Sequence, residues 1–330
     1  MPDNSEIYIN RKREKMTYDK IMEIAPQFCQ KTLLNPINFT GIGVHSGKMA
    51  RVVMKPAAVN TGIVFKRVDV TGKNNEIRAV YDNVVDTKLC TCLGNGEDMN
   101  VSTIEHLMAT FHAYGISNAI VEIDSYELPI LDGSAKQFAF LIESAGIKKQ
   151  NAPLKALRIM KTVAIDEGKA FASLEPAENG LVIDYEIEFP SKAIGKQNVT
   201  FDVYNGNFKR DIAGARTFGF RHEIEYLKSI GLCRGGSLEN ALVIDGDTIL
   251  NHDGLRYENE FVRHKTLDAV GDLYTSGYVI IGKYTGIKAG HGITNVLLRS
   301  LFSDASNYEI VDLNKVLFSV TKKRQEAVNF

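Results

Sequence analysis

The sequence is poor in cysteine, holds no long apolar run and carries almost no net charge. Each shortage excludes a class of protein. Four cysteines in 330 residues (Cys29, Cys90, Cys92 and Cys233) are too few for a disulfide scaffold, and none are paired as C-x-x-C, the spacing of a structural zinc site. The expectation is a reducing compartment, hence a cytoplasmic location. No stretch approaches the roughly 18 consecutive apolar residues of a membrane-spanning helix. A formal net charge of −1 leaves no overall field to draw the chain onto nucleic acid or an anionic membrane. The first sixteen residues are charged, with no apolar stretch behind them, so they do not read as a secretory signal. Asp3 and Glu6 argue against an organelle transit peptide as well, and Met16 is an equally readable start.

What is present is ordinary for a globular protein: 44% apolar and 24% charged residues, at a length sufficient for two domains. The globular pattern begins near Lys31, so residues 1–30 read as a peripheral leader. Strand-like segments lie at Ala50–Lys55, Gly62–Arg67 and Asn118–Ile123. Between them Val101–Tyr114 is strongly helical and is closed by Gly115. A second helix, near Ala135–Ser144, follows an Asp132-Gly133 turn and stops at Gly146; the polar run Lys148–Lys155 reads as a linker. The second half repeats this style. Strands are expected at Leu157–Ile165, Lys169–Leu174, Leu181–Phe189 and Tyr278–Tyr284, with helices at Arg221–Ser229, Asn259–Ser276 and Asn295–Phe302. Each half sets one long helix before an apolar strand. The fold class read from this is α+β, with two similarly built domains at 31–149 and 150–330, each packing helices against a sheet.

The helix Asn259–Ser276 carries the densest chemistry. At about 100° per residue, His264, Asp268 and Asp272 fall on one stripe, flanked by Lys265 and Gly271, while Val262, Ala269, Val270 and Leu273 form the opposite face. Such a stripe is either a solvated face or a metal site, since His and Asp one turn apart reach one ion. Two acids and one His also suit Mg²⁺ or Fe²⁺. The earlier helix offers His106, pointing away from Ile104, Leu107, Met108 and Phe111, with Glu105 beside it. Ser102-x-x-Glu105 matches a capping box. Glu105 is equally placed to take a proton from a metal-bound water. A His-Asp pair plus one distant His leaves a tetrahedral position open, the mark of a catalytic zinc. His291 in Gly290-His291-Gly292 is either structural or a general acid oriented by Asp272; His45 in Gly43–Gly47 reads as a turn residue; Thr217 stands between Arg216 and two phenylalanines.

These segments, in this order, resemble the UDP-3-O-acyl-N-acetylglucosamine deacetylases of bacterial lipid A synthesis. The matching runs are Gly41–Lys48, Leu89–Leu93, Ser102–Leu107, Glu127–Ala135, Ala215–Phe220, Gly231–Val243, Glu260–Gly277 and Gly290–Leu301. The resemblance implies an active site between two domains and Zn²⁺ (or Fe²⁺) held by His106, His264 and Asp268. It implies Glu105 as general base, His291 supported by Asp272 as the acid, and Thr217 as the oxyanion donor. Lys265 would meet the substrate diphosphate, Phe218 and Phe220 the sugar, and His45 also belongs among the substrate contacts. A first insert, about 79–97, would bring Leu89 and Cys90 to the site. A second, about 221–245, would form an apolar acyl passage lined by Ile224, Cys233, Gly236, Ser237, Leu238 and Val243. The substrate expected is a UDP-linked acylated aminosugar, hydrolysed by a monomer that has no nucleic-acid partner and no membrane span. A non-haem Fe(II) oxygenase, which also uses two His and one carboxylate, is the alternative enzyme class. A sugar-nucleotide-binding protein with a structural metal is the alternative outside catalysis.

Overall fold

The computed structural model describes residues 28–71, 74–96, 99–204 and 206–313. Most of the expected leader, residues 1–27, therefore lies outside the described residues. The chain is α+β, with six helices among the described residues: α1 (Glu105–Tyr114), α2 (Lys136–Ala145), α3 (Phe208–Asp211), α4 (Arg221–Ser229), α5 (Glu260–Tyr274) and α6 (His291–Ser303). A five-stranded sheet runs in the order Ile37–Ile42, Met49–Pro56, Ala119–Ile123, Ile63–Arg67, Glu76–Arg78. Only the Ala119–Ile123 and Ile63–Arg67 pair in it is parallel. A seven-stranded sheet centres on Val279–Ile287, which pairs with Phe171–Glu175, Lys155–Ile159 and Leu181–Glu188. The alternation along Leu181–Glu188 explains its place: Leu181, Ile183, Tyr185 and Ile187 point inward, and the residues between them do not.

Three sequence expectations need correction here. The Lys148–Lys155 run is no linker, because Ile147–Pro153 is a strand paired antiparallel with Cys29–Leu33. Its polar side chains suit a two-stranded ribbon with much of its surface in water, a pattern that composition alone reads as loop. The single strand expected at Leu157–Ile165 is two, Lys155–Ile159 and Val163–Asp166. The helix expected from Val101 begins only at Glu105, since Asn100–Val101 pairs with Cys92–Gly94.

Two apolar cores flank a central helix pair. One gathers Phe65, Leu107, Met108, Phe111, Val121, Phe138 and Ile142; the other gathers Leu157, Leu174, Ile183, Phe261, Leu273, Leu297 and Leu301. Ala109 of α1 belongs to the core of the second group and Tyr274 of α5 to the first, so these helices join the cores. Their approach depends on Gly271. A Cβ there would lie 2.0 Å from the Glu105 carbonyl oxygen and 3.1 Å from the Ala109 nitrogen, so only glycine fits. Gly115, at φ 68°, ends α1 with its N–H bonded to the carbonyls of His112 and Phe111.

Two small sheets stand off this frame. Val84–Asp86, Cys92–Gly94 and Asn100–Val101 form one; Phe218–Phe220, Leu242–Asp245 and Thr248–Ile249 form the other, with α4 between its first two strands. The strands of each sheet reach a few residues beyond the segments the sequence marked out, 79–97 and 221–245.

Candidate active site and metal centre

The close contact of α1 and α5 brings the first turn of one against the middle of the other. His106, His264 and Asp268 converge there, all buried, with one ligand atom from each lying within 4.8 Å of the other two. Nε2 of His106 is 3.5 Å and Nε2 of His264 3.4 Å from Oδ1 of Asp268. A tetrahedral zinc ion with bonds of about 2.0–2.1 Å separates its ligand atoms by about 3.3–3.4 Å, the edge of the tetrahedron. The two separations to Asp268 are close to that edge, so the donor set could hold a zinc-sized ion. The alternative of a solvated helix face is overturned, because α5 is buried on both its apolar and its polar side.

Electrostatics agree with this use. His264 places Nδ1 3.1 Å from the Ala215 carbonyl, which takes the ring proton and leaves the Nε2 lone pair free. Burial lowers its pKa to about 3 against the pull of Asp268, so the imidazole is neutral. Burial opposes ionisation of Asp268, yet its neighbours, with the Lys265 ammonium in direct contact, hold its carboxyl well below the ordinary range. Lys265 donates to Asp268 Oδ2 at 2.7 Å, and this partner outweighs burial to raise the lysine pKa. Nδ1 of His106 has no hydrogen-bond partner among the described residues.

Glu105 does not cap its helix. The N-cap position is Ile104, with no side-chain bond, and the Ser102 hydroxyl donates to the Tyr126 carbonyl instead. The capping-box reading fails because Ser102 follows a strand and faces another segment. The Glu105 carboxylate instead accepts a bond from the Thr91 N–H at 3.0 Å and lines the cavity beside His106, His264 and Asp268. Burial pushes its pKa up; His291 and His106 draw it down, while Asp268 and Asp272 add to the rise. His291 is not in a loop but is the first residue of α6, longer than expected at its N-terminal end. Its Nδ1 meets Asp272 Oδ2 at 2.8 Å. Burial alone would lower the imidazolium pKa, but Asp272, with Glu105 and Asp268 nearby, raises it to about 9.

A cavity of about 580 Å³ opens from this cluster. Glu105, His106, His264, Lys265, Asp268 and His291 line its polar end, and Thr217, Phe218, Leu89 and His45 also face it. Ile224, Cys233, Gly236, Ser237, Leu238 and Val243 continue the wall. Of the residues singled out in the sequence, Asp272, Cys90 and Phe220 do not line it. Asp272 sits behind His291. Cys90 is buried beside Thr103 and Glu105. Phe220 packs at a tilt against Phe189 and His222 instead.

Several cavity residues escaped the sequence reading. Phe189, Ala241, Leu250 and Leu227 add apolar wall, and nothing in their local pattern separates them from core residues. Glu127, fully buried, accepts from the N–H groups of His45 and Ser46 at 2.8 and 2.7 Å and so holds the Gly43–Gly47 turn against the cavity. The N–H groups of Arg234 and Gly235 donate to the carbonyls of His45 and Val44, which ties this turn to the end of the α4 segment. Leu89, Thr103 and Cys233 all adopt positive φ (69°, 60° and 51°) around the cavity; backbone strain of this kind concentrates at functional sites.

Comparison with known sequences now bears on what this geometry serves. The family model described as UDP-3-O-acyl N-acetylglycosamine deacetylase matches residues 30–303. The chain belongs to this deacetylase family. It is 48% identical over 288 residues to a Teredinibacter turnerae protein named UDP-3-O-acyl-N-acetylglucosamine deacetylase, covering 87% of this chain and 94% of that one. A Phenylobacterium zucineum protein of the same name is 47% identical over 272 residues (82% and 92% of the two chains), and one from Shewanella oneidensis 45% over 288 (87% and 94%). Membership of this deacetylase family makes the chain a hydrolase acting on an amide, and neither the oxygenase nor the binding-protein alternative describes it.

Proposed function

We propose that the chain hydrolyses the N-acetyl group of UDP-3-O-acyl-N-acetylglucosamine, releasing acetate and a free amine for lipid A biosynthesis, with Zn²⁺ as the resident metal. The observation that carries this reading is a buried His-His-Asp cluster spaced for a tetrahedral ion, at the polar end of a cavity whose walls turn apolar. Zinc bound there would supply Lewis acidity for the amide oxygen and bring the pKa of a water to about 7. His106, His264 and Asp268 would hold the ion. Fe²⁺ suits the same donors.

Glu105 takes the proton of the attacking water as its oxygen adds to the acetyl carbon. The Thr217 side chain, facing the cavity, is the donor for the oxyanion that develops. With Nδ1 committed to Asp272, His291 has Nε2 left to protonate the nitrogen as the C–N bond breaks. Lys265 presents its ammonium at the cavity wall, as a diphosphate contact requires, and Phe218 offers a ring to the sugar. The acyl chain follows the wall formed by Ile224, Leu238 and Val243. The reading also divides the chain at 149/150, within the strand Ile147–Pro153, into two domains and gives it a monomeric, cytoplasmic life. Its support is the separation of the two large sheets along the sequence and a cysteine content too low for a disulfide scaffold. No helix among the described residues is long and apolar enough to cross a membrane.

One assay tests the proposal. Metal-stripped protein should release no acetate from the UDP-linked substrate and should recover turnover when Zn²⁺ or Fe²⁺ is restored separately. Undiminished release by the stripped protein would remove the metal from the reaction.

A further inference from the structure

Thr91 makes more connections to the reacting groups than any role assigned so far explains. It is 3% exposed and sits between the strands Val84–Asp86 and Cys92–Gly94. Its N–H donates to Glu105 Oε2 at 3.0 Å, and its carbonyl accepts from the Ile104 N–H at 3.4 Å, at the start of α1. Its hydroxyl donates to Asp272 Oδ1 at 2.6 Å, while the other oxygen of that carboxylate faces His291 Nδ1 at 2.8 Å. One residue therefore touches both the carboxylate that would act as base and the carboxylate that supports the acid. The same segment reaches α6: a Cβ on Gly292 would lie 3.3 Å from Thr87 Oγ1. It also carries Leu89 to the cavity wall.

We propose that Thr91 is the positioning residue of the acid side of the site: its main chain is anchored on Glu105, and its hydroxyl fixes Asp272 and, through it, His291. The inference rests on the deacetylase reading above. A carboxylate bonded to a single imidazole can turn about its Cβ–Cγ bond and carry the ring with it. A second bond on the other oxygen fixes the plane of the carboxylate, and the ring follows. Buried partners of this kind orient a functional imidazole, and losing one typically costs roughly 10- to 100-fold in activity. Oδ1 of Asp272 is also a buried acceptor, so removing its donor leaves it unsatisfied.

The test compares Thr91→Val, which keeps the branched shape and loses the hydroxyl, with Thr91→Ser, which keeps the hydroxyl and loses the methyl. Both are measured in the zinc-loaded full chain beside wild type. We expect kcat for acetate release to fall roughly 10- to 100-fold in Thr91→Val, with KM and bound zinc unchanged, and Thr91→Ser to recover most of the loss. In a His291→Gln background, Thr91→Val should cost little more, because both changes act on one unit. Wild-type kcat in Thr91→Val overturns the inference alone. So does an equal loss in Thr91→Ser, which would assign the effect to packing of the methyl, or an undiminished loss in the His291→Gln background. If Thr91→Val does not fold, Thr91→Ala set against Thr91→Ser carries the same comparison. A wild-type holoenzyme that releases no acetate overturns the deacetylase reading, and this inference with it.

Discussion

Replacing Glu105 by Gln separates chemistry from architecture at this site. The structure sets what the change removes. Glu105 is buried and accepts one bond from the Thr91 N–H, and a glutamine oxygen can accept that bond in the same place. The helix start loses nothing, because Glu105 does not cap it. Metal binding should persist too, since Glu105 is not among the proposed ligands His106, His264 and Asp268. What disappears is the ability to take a proton near neutral pH, and a positioned base contributes about 10²–10⁴-fold. We therefore expect kcat to fall at least about 10²-fold with zinc content and melting temperature near wild type. The pH profile gives a second readout. The pKa of Glu105 is raised, chiefly by burial, and a base works only when deprotonated, so activity should be lost as pH falls through that raised value. Glu105→Gln should abolish this acidic limb. His291 acts in the opposite sense: held protonated up to about 9, it should set the alkaline limb, and His291→Gln should remove that one. Both are apparent values of a coupled set that includes metal-bound water. Acetate release followed across pH, with zinc measured by mass spectrometry, checks all of this. A Glu105→Gln protein with full zinc and near-normal kcat would falsify the general-base role.

Other changes probe other parts of the structure. Asp268→Ala should strip zinc, because it removes the carboxylate set 3.4–3.5 Å from both imidazoles and leaves Lys265 without its 2.7 Å partner; full metal retention by mass spectrometry would take Asp268 out of the ligand set. Gly271→Ala should force α1 and α5 apart. We expect a loss of about 1–3 kcal/mol in denaturant unfolding, together with weakened zinc binding, and wild-type values of both would show that the helices have room to spare. A substrate without its acyl chain should lose much of its kcat/KM, since each CH₂ buried along Ile224, Leu238 and Val243 contributes up to about 0.8 kcal/mol; equal efficiency with and without the chain would sink the passage assignment.

The sequence by itself determined the parts with strong periodicity or distinctive chemistry. The His264–Asp268 pair was legible because 3.6 residues per turn places i and i+4 together whatever the fold. Gly115 and Gly146 ended their helices where expected, since backbone of left-handed type favours glycine. Glu105 and His106 stood out beside an apolar helix face. Only the tertiary structure decided what depends on distant segments. It brought His106 to its partners 158 and 162 residues away, through a helix contact that Gly271 permits. It turned the polar run Ile147–Pro153 into a strand, because pairing with Cys29–Leu33 satisfies its backbone whatever its composition. It took Ser102 away from the helix start and gave Glu105 to Thr91 instead, so a local capping pattern lost to a long-range bond. Thr91 and Glu127 were invisible for the same reason. Their roles lie in hydrogen bonds that span 14, 181 and 82 residues, and no local periodicity records such pairings.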